Sequence, residues 1–417
     1  MKKLFLVIIS LIVSVSFAQT TLRVWTHQNN SFNAGLEQIA ADYMKEHPDV
    51  TIVFESFDYD TYIQTLQTAI PAKTEADVLQ MFGTWTCSYA DNLATAPKEI
   101  ITVQNAREKF FNAPINGYIC NDQVMGLPQE FNIEYGAALV NTAMADDAGV
   151  DLSKGWASWD ELIADAKAMT VNVDGNVLVS GFNYTSGDSL GYSFLSLIKQ
   201  FGGDYLNKDK TSFTINTPEG KKALEFMQRF VAEGIIDPVL FNDESNWVGD
   251  CMFEEACAMG IVGPWVIPEY AIDFPDLAAQ MSYIKLPAVS NSSSFVADSG
   301  WGLTVSKNSK VQDIAWDFVA FATLNDANAL AWNTGSGTLP AIIANTKGAA
   351  AEALVEKHPH FAPFLDILPE GEYVGNLPDR DLLWYDILYP HILAVLQGVE
   401  DPDTSLLAIE TEANESF

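Results

Sequence analysis

Two apolar periodicities alternate through the first part of the chain, and that alternation limits the fold more than any other feature. Thr21 to Thr26 reads as a short strand. Phe32 to Glu46 carries Leu36, Ile39, Ala40 and Tyr43 at helical spacing and stops at His47-Pro48. Val50 to Phe57 is a second strand. Asp60 is placed to cap a helix with Tyr62, Leu66 and Ile70 on one stripe, and Ala76 to Phe82 is a buried strand ending in Gly83-Thr84-Trp85. Strand, helix, strand, helix, strand predicts an α/β chain with a parallel sheet covered on both faces.

The pattern continues beyond a Gly126-Leu127-Pro128-Gln129-Glu130-Phe131-Asn132 turn, with a strand over Tyr135 to Val140. Ser158 and Glu161 form a capping box opening a helix to Ala168. Asp174-Gly175 signals a hairpin turn before a strand over Val177 to Phe182. Ser189 to Phe201 and Thr217 to Glu233 read as helices, the second stopped by Gly234. Cys257 to Val262 is a strand ending at Gly263-Pro264-Trp265, and Ser290 to Phe295 is the best internal linker. Trp301 to Val305 is a strand, Gln312 to Leu324 a helix, and Asn333 to Pro340 a Gly-rich turn. Helix signals return between Asp379 and Gln397.

The N-terminus indicates where the chain works. Lys2 and Lys3 precede an apolar run from Leu4 to Val15, and Ser16-Phe17-Ala18 supplies small residues before Gln19, so residues 1–18 read as a secretory signal cleaved after Ala18. The run is too short for a bilayer core of about 30 Å. No cysteine stands at the cleavage point to carry a lipid, so the expected compartment is the periplasm, with the protein free of the membrane. The remaining length accommodates two domains. A net charge of -33 repels phosphate backbones and argues against nucleic acid as a partner; an acidic surface that keeps an exported protein dissolved accounts for it.

Four cysteines in an exported chain imply two disulfides, for which three connectivities exist. Nearness in sequence favours Cys251 with Cys257 and Cys87 with Cys120. Their spacing matches no zinc pattern, and the five scattered histidines offer no paired ligands, so neither metal nor cofactor is expected.

Several short segments, in order, are similar to the extracellular solute-binding protein family that serves sugar-importing ABC transporters, the group that includes maltose-binding protein. They are Leu22-Arg23-Val24-Trp25, Ala76-Asp77-Val78-Leu79-Gln80-Met81, Gly126-Leu127-Pro128 and Ser158-Trp159-Asp160-Glu161-Leu162. Phe201-Gly202-Gly203, Ala258-Met259 with Gly263-Pro264-Trp265, Gly300-Trp301-Gly302-Leu303 with Ser306-Lys307, and Leu339-Pro340-Ala341 complete the series. The resemblance implies a two-lobe periplasmic binding protein fold of type II, with three interlobe crossings and a ligand cleft between the lobes. One lobe would comprise residues 19–131 and 297–338, the other 132–296 and 339–417, with the polar Ser290 to Phe295 stretch near a hinge. It also implies a monomer that binds a neutral mono- or oligosaccharide and docks on permease subunits in the inner membrane, with no catalysis.

A sugar offers flat C–H patches and a rim of hydroxyls, so its site needs partly exposed aromatic faces beside groups that donate and accept hydrogen bonds. Loops after strands are where such a fold places them. Trp265 stands where related sugar binders stack a pyranose ring, and Trp301 occupies a strand edge used by some relatives. Thr84 and Trp85 lie in the loop after the third strand. Glu130 and Asn132 lie at the first crossing, where a carboxylate accepts from two hydroxyls or else bonds within the hinge. His27 and Gln28 follow the first strand. Asp188 and Tyr192 match positions that contact ligand in relatives. Arg380 reaches ligand in some relatives, against a plain ion pair with Asp379 or Asp381.

Two other readings remain at this level. The acidic balance allows a cationic solute such as a polyamine. Gly187-Asp188-Ser189-Leu190-Gly191 matches a nucleophile elbow and an esterase signature. However, no histidine near the end has an aspartate three residues before it, and Ser189 as a helix N-cap explains the same residues.

Overall fold

The computed structural model describes residues 19–184, 187–236, 247–290 and 292–416, so the expected signal segment lies outside the described residues. The first sheet has the strand order Val50–Phe57, Thr20–His27, Val78–Phe82, Trp301–Val305, Gly126–Pro128. Its first three strands are parallel, joined by the helices Asn30–Glu46 and Tyr59–Ala72. Asn29 caps the first helix by accepting from the Ser31 and Phe32 N–H groups. Asp58, not Asp60, caps the second, through Thr61 N–H at 3.0 Å. Asp60 sits in that helix's first turn, where the helix dipole favours an acid.

The sheet is mixed rather than parallel. Trp301–Val305 enters antiparallel between Val78–Phe82 and Gly126–Pro128, the last being an edge strand where a turn was expected. Trp301–Val305 arrives from the other half of the molecule and Gly126–Pro128 from an irregular stretch of the same lobe, so no right-handed βαβ crossover dictates their direction.

The second sheet runs Asn183–Tyr184, Met259–Ile261, Ala137–Asn141, Met281–Lys285. The strand expected over Val177 to Phe182 is divided. Val171–Val173 and Asn176–Val179 form a separate hairpin about Asp174 and Gly175, at φ of 53° and 87°, and only Asn183–Tyr184 joins the sheet. Positive φ at both central residues gives the turn the twist a two-residue hairpin needs.

Each sheet has its own hydrophobic core, giving two lobes. Leu22, Val24, Leu79, Leu127, Leu303 and Trp316 belong to one; Leu139, Phe182, Leu197, Met227, Ile261 and Leu396 belong to the other. The backbone passes between them near three points held together by hydrogen bonds. Gln129 N–H donates to Trp301 O, Phe131 N–H to Leu339 O, and Asn333 Nδ2 to Gln129 O and Thr338 Oγ1. Asn333 to Ser336 stay helical within Asp326–Ser336, and the chain turns only at Gly337, φ 73°. Asn333 is buried and its amide is used, which holds that last turn.

The middle crossing is Asp298 to Gly300. Phe295–Ala297 still pairs with Gly371–Tyr373 in one lobe, and Trp301 begins a strand of the other. The Ser290 to Phe295 stretch is tied instead to the second lobe, with Gln200 Nε2 donating to Ser294 O and Ser294 Oγ to Glu372. At Gly300, φ is +74° and a Cβ would stand 2.8 Å from Glu130 Cγ, so glycine is required twice over. Cys87 pairs with Cys120 and Cys251 with Cys257. Among the described residues no helix is long and apolar enough to cross a membrane.

Candidate functional site

Between the lobes lies a cleft of about 380 Å³. One wall is built at the carboxyl ends of first-sheet strands. His27 ends one and Phe82 another, while Gln28, Asn29 and Phe32 open the following helix and Tyr59 packs edge-on to His27, ring centroids 6.1 Å apart. Trp301 joins this wall from the start of its own strand. The other wall carries Glu134, Asp188, Trp247 and Trp265, with Tyr385 at the rim and Glu130 and Asn132 at the crossing.

Trp265 follows the strand Met259–Ile261, and its partly exposed indole lies on Trp247, centroids 5.6 Å apart and planes 17° apart. Gly263 permits this approach, because a Cβ there would stand 2.2 Å from Trp265 Nε1. That indole N–H donates to Glu134 Oε1 at 3.0 Å, while Glu134 Oε2 accepts from Ser189 Oγ at 2.6 Å and Gly263 N–H at 3.1 Å. Three donors around one carboxylate favour its ionised form, but burial dominates and raises its pKa to about 7. Glu130 accepts from Trp301 N–H at 3.0 Å, and burial pushes it to about 8.

The other wall's aromatics are more enclosed. Trp301 is only 5% exposed, packed by Phe82 at 4.2 Å, by Trp85 edge-on at 5.5 Å and by His27. Burial lowers the His27 pKa to about 4, so the imidazole is neutral.

Asp188 reaches the cleft from the first turn of the helix Asp188–Gln200. Its carboxylate accepts from Tyr385 Oη at 2.8 Å and is ion-paired with the fully buried Arg380. Arg380 also pairs with Asp381 at 2.7 Å and approaches Asp298 at 3.7 Å. Asp298 in turn accepts from Tyr192 Oη at 2.7 Å and from the Ser299 and Gly300 N–H groups.

Seven of the residues singled out in the sequence therefore line one cleft: His27, Gln28, Glu130, Asn132, Asp188, Trp265 and Trp301. Thr84, Trp85 and Arg380 line a separate, smaller concavity of about 120 Å³. Tyr192 is enclosed in the lobe interior. Ser189 is not the N-cap; Gly187 holds that position, and the Ser189 hydroxyl is buried against Glu134. Trp247, Glu134, Tyr59 and Tyr385 line the cleft without having been singled out. Glu134 had a signal, since it closes the same stretch that holds Glu130 and Asn132. Among the described residues no cluster of His, Cys, Asp or Glu suits a metal ion.

Residues 28–329 match the family of bacterial extracellular solute-binding proteins. A Brucella abortus (strain 2308) protein named as a binding protein is 24% identical over 378 residues, spanning 89% of this chain and 86% of that one. Among solved structures, the cyclic alpha-maltosyl-1,6-maltose binding protein from Arthrobacter globiformis superposes with a TM-score of 0.79 at 19% identity, covering 95% of this chain and 98% of that one. An ABC transporter solute-binding protein from Thermotoga lettingae, bound with alpha-D-tagatose, gives 0.75 at 18% identity, with coverage of 95% and 99%. At these identities the likeness to solved structures is one of fold.

Proposed function

This chain belongs to the bacterial extracellular solute-binding protein family, and from that premise we propose that its cleft binds a neutral sugar or oligosaccharide. The observation that carries the reading is the Trp265 indole, partly exposed on the cleft wall with its N–H fixed by Glu134. A flat apolar face beside a set of hydrogen-bonding groups matches the two surfaces of a pyranose. The sugar ligands of the two structural neighbours above support the same class.

A cationic ligand is less well served by this cleft. Burial holds Glu130 and Glu134 toward their neutral forms, and Arg380 already neutralises Asp188. That leaves Glu269, whose carboxyl is also shifted by burial toward its neutral form, to face a polyamine.

Ligand touching both lobes biases the molecule toward closure by its greater affinity for the closed form. The closed protein delivers its cargo to permease subunits of an ABC importer from the periplasm, without catalysis. The moving bodies are residues 19–131 with 297–338 and residues 132–296 with 339–417, a division that the membership of the two cores supports except where Phe111, Ala113, Phe131 and Ala297 join the second core and Ala341 and Ile342 the first. Titration of a panel of mono- and oligosaccharides, followed by tryptophan fluorescence and calorimetry, tests the reading. One sugar class should bind with an affinity that barely moves with salt. Affinity only for a polyamine, falling as salt rises, would overturn it.

A further inference from the structure

The two stacked indoles of the cleft, Trp265 and Trp247, are anchored very differently. Trp265 follows a central strand of the second sheet, and Tyr283 Oη donates to Gly263 O at 2.7 Å just before it. Trp247 itself lies in no strand. It precedes the helix Val248–Phe253, its carbonyl accepting from Cys251 N–H at 3.0 Å. Six residues are far fewer than a helix needs to persist alone.

One covalent link joins that helix to the strand bearing Trp265. Cys251 lies inside the helix, and Cys257 stands two residues before Met259–Ile261. Ala256 and Cys257 N–H both donate to Cys251 O, closing a compact turn between them. Gly249 lets the Trp247 ring fold back over the helix, since a Cβ there would stand 2.3 Å from it. The bond closes a loop of sequence separation 6, against 33 for Cys87–Cys120, so it restricts the unfolded chain the less of the two. Global stability is thus the weaker account of this bond, and local geometry the stronger.

Resting on the sugar-binding reading above, we propose that the Cys251–Cys257 disulfide is a positioning element of the cleft, holding Trp247 against Trp265 so that the two indoles present one fixed surface to the ligand. Without the bond, the short helix shifts and Trp247 leaves the stack. Trp265 then remains as a single, less constrained ring.

Two indoles 5.6 Å apart couple their electronic transitions, so the difference in circular dichroism between the free wild type and Trp247→Phe isolates the couplet of this pair, whose loss reports their separation. Trp247→Phe defines the size of that signal. The Cys251→Ala/Cys257→Ala variant should lose most of it, with a smaller fall in melting temperature than Cys87→Ala/Cys120→Ala, which should keep the couplet. A full couplet in the Cys251→Ala/Cys257→Ala variant overturns the inference. If that variant fails to fold, stepwise reduction of the wild-type protein, with the broken bond mapped by peptide mass, gives the same comparison. The couplet is read without ligand, so it remains informative even if no sugar binds and the functional reading fails. With a sugar that does bind, affinity should fall about tenfold, the scale of one aromatic contact. Unchanged affinity after loss of the couplet also overturns the proposal.

Discussion

The His27 imidazole lies parallel to the Trp301 indole, with ring centroids 4.7 Å apart and planes 9° apart. Trp301 therefore meets the cleft with one face already overlaid by a neutral ring. His27→Ala should uncover that face, raising quenching of tryptophan fluorescence by acrylamide. The lost ring contact should destabilise the fold by about 0.5–1.5 kcal/mol.

His27 also sets an acid limit. Its pKa is about 4 in the folded protein and near 6.5 when unfolded, so the unfolded chain takes up the proton first. Its contribution is complete above about pH 6.5 and is lost as pH falls toward 4. Urea midpoints measured across that window should flatten in His27→Phe.

Glu130 works in the opposite direction. Burial raises its folded pKa to about 8, above a glutamate's ordinary 4.5, so the folded form holds the proton more tightly. Its share of stability is present below about 4.5 and is lost as pH rises toward 8, and Glu134, raised to about 7, adds to that slope. Glu130→Gln keeps the shape without the charge. It should reduce the fall in melting temperature between pH 5 and 8, and an unaltered slope would contradict the assignment.

Trp265→Ala removes the exposed ring of the stacked pair. On the proposed reading it should weaken sugar binding by at least about thirtyfold, the cost of a central aromatic anchor. Because the indole is only partly buried, the melting temperature should stay within a few degrees of wild type. Calorimetry beside thermal unfolding separates the two effects.

Arg380 carries a structural prediction. Its guanidinium is ion-paired with Asp188 and Asp381 and lies 3.7 Å from Asp298, which is fully buried. Arg380→Met strands those carboxylates and should cost about 3–5 kcal/mol in urea unfolding. Arg380→Lys should recover little, since an ammonium cannot span the partners that a planar fork reaches.

Local patterning carried much of the architecture. The strands Thr20–His27 and Val50–Phe57 and the helix between them were legible because one face of each is apolar at its proper period. Trp265 was legible as a post-strand position because Gly263-Pro264 breaks the run before it. Trp247 was not, as its place depends on a ring contact and a disulfide rather than on periodicity. Depth was equally hidden. Asp188 and Tyr192 are four apart and share a helix face, yet one turn separates the cleft mouth from the lobe interior. The strand Trp301–Val305 was legible too, but its antiparallel insertion into the first sheet was not, because pairing across two distant parts of a chain leaves no local mark.

With Phe295–Ala297 bound into one lobe and Trp301–Val305 into the other, three residues remain to absorb rotation along the middle connection: Asp298, Ser299 and Gly300. Ser299 is wedged there, since a Cβ on Gly83 or Gly117 would stand 2.1 or 2.6 Å from its hydroxyl. On the proposed closure, this connection would turn like a door on a short pin rather than slide like a drawer in a frame. A side chain at Gly83 or Gly117 would press on Ser299 and, within the same lobe, on Tyr118 or the Gly83 backbone.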